Sequence, residues 1–363
     1  MSKQSPIAVV LGTRPEIIKL APVIGQLGRG VRVVHTGQHY SEPMSDQVSA
    51  DLALPAVAVN LGLGGTDRGA QLGSMISALT REFGAARPAA VIVQGDTTSA
   101  LAGALAANAN DIPLCHVEAG LRSFDRAMPE EHNRVLIDHL ADLCCAPTQA
   151  NGANLTAENI PPERIQVTGN TIIDALQYVR PPSTVATDTA LRQLGLTRDR
   201  FVLATLHRPE NVDRPGVLEL LLKQLNALPL PVLLPLHPRT EQRVVEFGLV
   251  ALLGGMRVTG PLRYPDFLAL AGAAAVLVSD SGGLQEEASV LKRPIVVLRR
   301  STERPEVEGT FGIRVDPGPD SEQVLREWTR SVDRRLRRLS TIPSPFGDGE
   351  SGKRIAAAIQ AMI

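Results

Sequence analysis

Aromatic residues are scarce: Phe, Tyr and Trp together make up 3% of the chain. Proteins that grip single-stranded nucleic acid stack bases on such rings, and electrostatic binders carry a basic excess. With a formal net charge of −1 the sequence supports neither mode, so no nucleic-acid partner is expected. Cysteine is rarer still. Cys115, Cys144 and Cys145 are odd in number and lack metal-ligand spacing, which argues against a disulfide framework and a metal site and fits a reducing cytoplasm. The Cys144-Cys145 pair reads as small apolar filling. Long hydrophobic runs are missing as well. The longest, around Phe267 to Val278, is too short to span a bilayer, and Ile7 to Leu11 opens a strand with no signal-peptide pattern before it, so no membrane partner is expected.

What remains is an ordinary globular composition, 44% hydrophobic and 21% charged, over 363 residues, enough for about two domains. The chain is organised around one stretch, Val276 to Leu291. Ala274 to Val278 is a short apolar run suited to a buried parallel strand. Ser279-Asp280-Ser281-Gly282-Gly283 turns the chain, and Leu284 to Ala288 favours helix. A Ser-Gly-Gly turn at a helix start offers free backbone N–H groups at the positive end of the helix dipole. Adjacent glycines let an anion such as a diphosphate approach closely. Glu286 and Glu287 read as first-turn residues. Since a carboxylate would repel that anion, at least one should point elsewhere, for instance at a ribose hydroxyl pair.

The first half alternates strand and helix. Ile7 to Leu11 leads into Gly12-Thr13-Arg14-Pro15-Glu16 and an apolar helix, so Arg14 and Lys19 flank a strand's C-terminal edge, where open α/β sheets bind ligands. The glycine spacing is neither a dinucleotide fingerprint nor a P-loop, which disfavours NAD and ATP. Val31 to Thr36 is the second strand, followed by Gly37-Gln38-His39-Tyr40. The segment from Asp51 to Gly69 reads as a loop. Ala89 to Val93 ends at Gln94-Gly95-Asp96, and Pro113 to Val117 ends at Glu118. Two carboxylates thus terminate successive strands of one sheet. Met128-Pro129-Glu130-Glu131 starts a helix, where acids suit the dipole. Three carboxylates converging on one sheet edge would raise one another's pKa toward working pH, as acid/base chemistry requires.

After a strand over Ile165 to Asn170 and a helix over Thr171 to Val179, Pro181-Pro182-Ser183-Thr184 marks a linker. A second strand series opens with Arg200 to Leu206 and ends at His207-Arg208. Val232 to Leu236 ends at His237, and Pro265-Asp266-Phe267 starts a helix. Pro294 to Leu298 leads into the arginine-rich loop Arg299 to Glu306, and a final helix spans Ser351 to Met362.

Taken in order, these runs resemble the non-hydrolysing UDP-N-acetylglucosamine 2-epimerases. The resemblance rests on Gly12 to Glu16 with Lys19, Gln94 to Thr98, His116 to Arg122, and Pro129-Glu130-Glu131 with Asn133-Arg134. Further along it rests on Thr168 to Thr171 with Asp174-Ala175, His207-Arg208 with Glu210-Asn211, Ser279 to Glu287, Thr302 to Glu306, and Phe346 to Gly349. It implies an α/β GT-B fold: two Rossmann-like domains with a cleft between them. Residues 1–170 plus 346–363 would carry the catalytic carboxylates and residues 171–345 would bind UDP, with the last helix returning to the first domain. The implied reaction is reversible C2 epimerisation of UDP-GlcNAc to UDP-ManNAc by anti elimination of UDP to 2-acetamidoglucal and re-addition. No cofactor or metal is required, and a cytoplasmic homodimer is expected.

By the same resemblance Asp96, Glu118 and Glu130 form the acid/base and charge-stabilising group, and His207 contacts the leaving phosphate. Arg14, Lys19, Ser281, Gly282, Gly283, Glu287 and Arg304 map to UDP contacts, and Phe267 to the uracil wall. Gln38, Glu130, Arg208 and His237 match a second, activating UDP-GlcNAc site. The chain departs from the family pattern at Tyr40-Ser41-Glu42-Pro43, at His237-Pro238-Arg239-Thr240, and at Arg300, where an acid is common. Two other readings share the nucleotide cradle. One is a 2-epimerase for UDP-2,3-diacetamido-glucuronate, whose carboxylate would need a cation such as Arg208 or Arg263. The other is a GT-B glycosyltransferase.

Overall fold

A computed structural model describes residues 5–38, 52, 54–65, 67–179, 182–330 and 332–363. The chain divides into two compact units, Met1–Val179 with Phe346–Ile363, and Arg180–Pro345.

The first unit begins with β1 (Ile7–Leu11), α1 (Arg14–Leu27), β2 (Val31–His35), β3 (Val59–Asn60) and α2 (Arg68–Ala85). It continues through β4 (Val91–Gln94), α3 (Thr98–Asn108), β5 (Leu114–Val117), α4 (Pro129–Leu140), β6 (Leu143–Ala146), α5 (Gln149–Ala157), β7 (Ile165–Val167) and α6 (Thr171–Tyr178). The seven strands are hydrogen-bonded in the order β3-β2-β1-β4-β5-β6-β7, and every pairing is parallel. A parallel sheet is covered on both faces, which is why β1, β4, β5 and β6 are buried along their whole length and read as unbroken apolar runs. The segment expected to be a loop contains β3, which pairs Val34 with Val59 at the sheet edge. Two residues are too few to leave a periodicity in the sequence.

The second unit holds α7 (Thr184–Gln193), β8 (Val202–Thr205), α8 (Pro209–Val212), α9 (Pro215–Asn226), β9 (Val232–Pro235), α10 (Pro238–Glu246), β10 (Arg257–Thr259) and α11 (Tyr264–Ala273). Then follow β11 (Val276–Ser279), α12 (Gly282–Leu291), β12 (Ile295–Leu298), β13 (Gly312–Val315), α13 (Ser321–Arg330) and α14 (Val332–Leu339). Its six parallel strands run β10-β9-β8-β11-β12-β13. In both units the order is that of a Rossmann-like sheet, in which the first strand lies between the second and the fourth. The expectation of two such α/β domains holds.

The last helix, α15 (Ser351–Met362), belongs to the first unit and packs on α1 and α6. Gly352 makes that approach possible, since a Cβ there would lie 2.8 Å from Pro22 Cβ. The boundary at residue 170 misplaced α6. The Asp174 carboxylate accepts from Gly352 N at 2.7 Å, which ties α6 to α15 and keeps it in the first unit.

Candidate active site

Strand order reverses between β1 and β4 in the first unit and between β8 and β11 in the second, and ligands of open α/β sheets bind at such switch points. Asp96 lies on the turn that leaves β4, His207 and Arg208 on the one that leaves β8, and Ser281 on the one that leaves β11; the other candidates lie on neighbouring turns and helices.

In the first unit, Asp96 follows β4 and Glu118 follows β5, and the pairing of Gln94 with Val117 sets the two turns side by side. Glu118 is 6% exposed and has φ 71°, a left-handed conformation uncommon outside glycine. Its carboxylate accepts from Lys19 Nζ at 2.7 and 2.8 Å and from Gln94 Nε2. The Asp96 carboxylate accepts from Arg134 Nε and Nη2 at 2.9 and 2.5 Å, and its main-chain oxygen accepts from Asn133 Nδ2 at 2.7 Å. Glu130 is half-buried in the first turn of α4 and has no polar partner among the described residues. It precedes Asn133 and Arg134 by three and four positions, so all three share the helix face turned to Asp96.

Asp96 pairs with Arg134 and Glu118 with Lys19, so each carboxylate has a cation beside it. Lys19, assigned to the diphosphate, is 4% exposed and bonded to Glu118. The neighbouring Glu131 has a separate task. It accepts from Ser123 N, Phe124 N and Arg134, tying the preceding loop to α4. Arg14 is half-buried at the start of α1. Gln38 turns its carboxamide oxygen to Ser99 N and Oγ at 2.9 and 2.7 Å. The departures around Tyr40 lie outside the described residues.

In the second unit, Asp280 lies directly after β11 and is fully buried. Its carboxylate accepts from His207 N, Arg208 N and Asn211 Nδ2 at 3.0 to 3.1 Å, and lies 2.9 Å from His207 Nδ1. With Nδ1 engaged, His207 keeps Nε2 for a ligand, and its side chain is 35% exposed. The His237 ring centroid is 5.5 Å away, and His237 Nδ1 accepts from Arg239 N at 3.2 Å. His207, Arg208 and His237 are therefore gathered at one sheet edge.

The Ser-Gly-Gly turn differs from expectation in one respect. α12 begins at Gly282, so Glu286 and Glu287 fall in its second turn. Both are turned inward: Glu286 pairs with Arg304 Nε at 2.6 Å, and Glu287 accepts from Tyr264 Oη at 2.7 Å. Arg304, assigned to UDP, also pairs with Glu303, which in turn pairs with the buried Arg299 at 2.9 Å. The glycines play different parts. A Cβ on Gly282 would lie 2.8 Å from Arg304 Nη1, whereas one on Gly283 would meet nothing within 4 Å. Gly283 therefore borders open space at the helix start, beside Ser281, whose hydroxyl caps the helix. Phe267 is half-buried on α11.

Two acids here escaped the sequence reading. Asp280 looked like a turn residue, and only the pairing of β8 with β11 brings it to His207. Glu16, fully buried after β1, accepts from Gly12 N, Thr13 Oγ1 and Thr97 Oγ1 at 2.9, 2.8 and 2.6 Å. Burial pushes its carboxyl up to about 7, against hydrogen bonds from Thr97, Thr13 and Gly12 that pull it down. A carboxyl raised in the fold contributes stability that is complete below its ordinary 4.5 and is lost as pH rises through about 7. Glu16→Gln should therefore gain on the wild type between about pH 5 and pH 8, by on the order of 3 kcal/mol. Urea unfolding of both proteins at the two pH values checks this.

Among the described residues no group of three His, Cys, Asp or Glu side chains could hold a metal ion, and no helix is long and apolar enough to cross a membrane. Cys115, Cys144 and Cys145 are buried thiols, and for the Cys144-Cys145 pair this is as expected of apolar filling.

Comparison with known proteins places the chain among its relatives. The family model for UDP-N-acetylglucosamine 2-epimerase matches residues 28–360. The UDP-N-acetylglucosamine 2-epimerase of Methanococcus maripaludis is 40% identical over 358 residues, covering 96% of each chain. The UDP-2,3-diacetamido-2,3-dideoxy-D-glucuronate 2-epimerase of Pseudomonas aeruginosa is 33% identical, over 96% of this chain and 98% of that one. A crystal structure of the Methanocaldococcus jannaschii UDP-GlcNAc 2-epimerase in complex with UDP-GlcNAc and UDP superposes with a TM-score of 0.86 at 38% identity, covering 98% of this chain and 99% of that one. The chain belongs to the UDP-N-acetylglucosamine 2-epimerase family.

Proposed function

We propose that this protein interconverts UDP-GlcNAc and UDP-ManNAc without a cofactor. The observation that carries this reading is the pair of carboxylates at adjacent strand ends, Asp96 held by Arg134 and Glu118 held by Lys19, with Glu130 on the facing helix. Inversion at C2 requires a proton to leave one face and return to the other, so acid/base groups must reach both. In the forward direction C2–H loses its proton to a carboxylate while the C1–O bond breaks, giving 2-acetamidoglucal and UDP. Re-addition of UDP to C1, with a proton delivered to the opposite face of C2, yields the epimer. A carboxylate beside C1 stabilises the positive charge that develops there. His207, oriented by Asp280, is assigned to the departing phosphate oxygen, and Ser281 to Gly283 to the diphosphate.

The uridine half is assigned to Phe267, Glu287 and Arg304, with Arg14 as a further cation. An activating second UDP-GlcNAc would draw on Gln38, Glu130, Arg208 and His237. The family resemblance also brings a cytoplasmic homodimer into this reading.

Incubation with UDP-GlcNAc in heavy water should place one solvent deuterium at C2 of both epimers, read by proton NMR. Inverted product without deuterium, or transfer of the sugar to an acceptor, would refute the mechanism. Inversion of UDP-2,3-diacetamido-glucuronate in preference to UDP-GlcNAc would move the substrate assignment and keep the chemistry.

A further inference from the structure

His116 lies on β5 with its side chain wholly buried and both ring nitrogens engaged. Nδ1 is 2.6 Å from Asp138 Oδ1 of α4, and Nε2 is 2.8 Å from the main-chain oxygen of Gly95. A peptide carbonyl can only accept, and so can an ionised carboxylate. A neutral imidazole has one N–H and could satisfy one of the two. The remaining question is whether Asp138 supplies the missing proton. Its second oxygen lies 2.8 Å from Arg122 Nη2 and accepts from Gly120 N at 3.2 Å, so the surroundings of Asp138 favour the anion. Arg122 in turn pairs with Glu158 at 2.5 Å. Cys144 Sγ lies 3.5 Å from the main-chain oxygen of Asp138. With His116 protonated on both nitrogens, the cluster holds two cations and two anions and is neutral, the condition under which buried charge is tolerated.

The carbonyl that His116 reaches belongs to the residue before Asp96. Gly95 has φ 68°, its N–H donates to Val117 O at 3.0 Å, and the Asp96 carbonyl accepts from Asn133. The Asp96 backbone is thus pinned on both sides, by β5 and by α4, before Arg134 orients the carboxylate. We propose that His116 is a positioning residue for Asp96, carrying a proton on each ring nitrogen and using the second to fix the Gly95–Asp96 peptide. The role in catalysis rests on the function proposed above; the two protons do not.

Two substitutions separate the halves of the imidazole. His116→Gln can place an amide N–H near the Nε2 position and keep the bond to Gly95. His116→Asn can place one near Nδ1, keeping Asp138 and losing Gly95. With UDP-GlcNAc as substrate, His116→Gln should stay within about threefold of wild-type kcat. His116→Asn should lose about 10²-fold with KM little changed, the loss expected for a misplacement near 1 Å. Equal losses in the two variants, or losses that follow their melting temperatures alone, would overturn the positioning role. Nitrogen-15 NMR of the wild-type imidazole should show hydrogen on both ring nitrogens of His116 at neutral pH. Hydrogen on one only would overturn the charge assignment, even if neither variant folds. Absence of any C2 exchange in the wild type would sink the proposed reaction, and the NMR result would still decide the protonation of His116.

Discussion

Glu118→Gln should lower kcat for epimerisation by about 10²- to 10⁴-fold, the range for losing a positioned acid/base group. The substitution is nearly isosteric, so UDP affinity, read by calorimetry, should change little. The same change removes the anion that holds Lys19, which is 4% exposed. Breaking a buried ion pair by removing one member costs about 3–5 kcal/mol. The variant should therefore be both inactive and markedly less stable to urea. Adding Lys19→Met should return most of the stability, because an apolar side chain of similar volume then replaces the buried charge, while activity stays lost. Glu118→Gln with near-normal kcat would remove Glu118 from the chemistry. A double variant no more stable than the single one would show that the ion pair is not what the fold depends on.

The second large effect is expected at Asp280. Asp280→Asn keeps one acceptor but places an amide N–H among donors, and it no longer fixes the tautomer of His207, whose Nδ1 lies 2.9 Å from the carboxylate. A comparable exchange behind a catalytic histidine lowers kcat by about 10⁴-fold in serine proteases; since His207 serves a leaving group here, about 10²- to 10³-fold is expected. Asp280→Ala goes further. It strips the acceptor from His207 N, Arg208 N and Asn211 Nδ2, and each buried donor left unsatisfied costs about 1–3 kcal/mol. Burial pushes the Asp280 carboxyl up, but His207 and its other donors outweigh this and hold it below the ordinary range. The stability it contributes is then present above the ordinary carboxylate pKa and fades as pH falls through the depressed one. Urea titrations of wild type and Asp280→Asn should accordingly converge as the pH is lowered. Retention of full kcat by Asp280→Asn would leave His207 without an orienting partner in the mechanism.

Both predictions turn on partners far apart in the chain: Lys19 and Glu118 are 99 positions apart, and His207 and Asp280 are 73 apart. Neither pairing has a local signature. Lys19 reads as a cation flanking the C-terminal edge of β1, and Asp280 as one more polar residue in a Ser-Asp-Ser-Gly-Gly turn. The position of Asp96 and Glu118 was legible because each breaks an apolar run, and a residue that ends a parallel strand must emerge at the sheet edge. The start of α12 was not, since Leu284 to Ala288 marks a helix but nothing in the residues says that Gly282 and Gly283 already belong to it. Boundaries of this kind are set by capping, here by the Ser281 hydroxyl.

The sequence by itself determined the alternation of buried strand and helix, the two Rossmann-like sheets it builds, and the polar residues at the strand ends. These follow from local pattern, because burial on both faces of a parallel sheet dictates what each strand can contain. Tertiary structure alone decided which charge answers which: Lys19 for Glu118, Arg134 for Asp96, Glu286 for Arg304, Asp138 for His116. Such pairings depend on strand order, which places segments distant in the chain within ångströms of one another, and a buried charge takes its properties from the neighbour that order supplies.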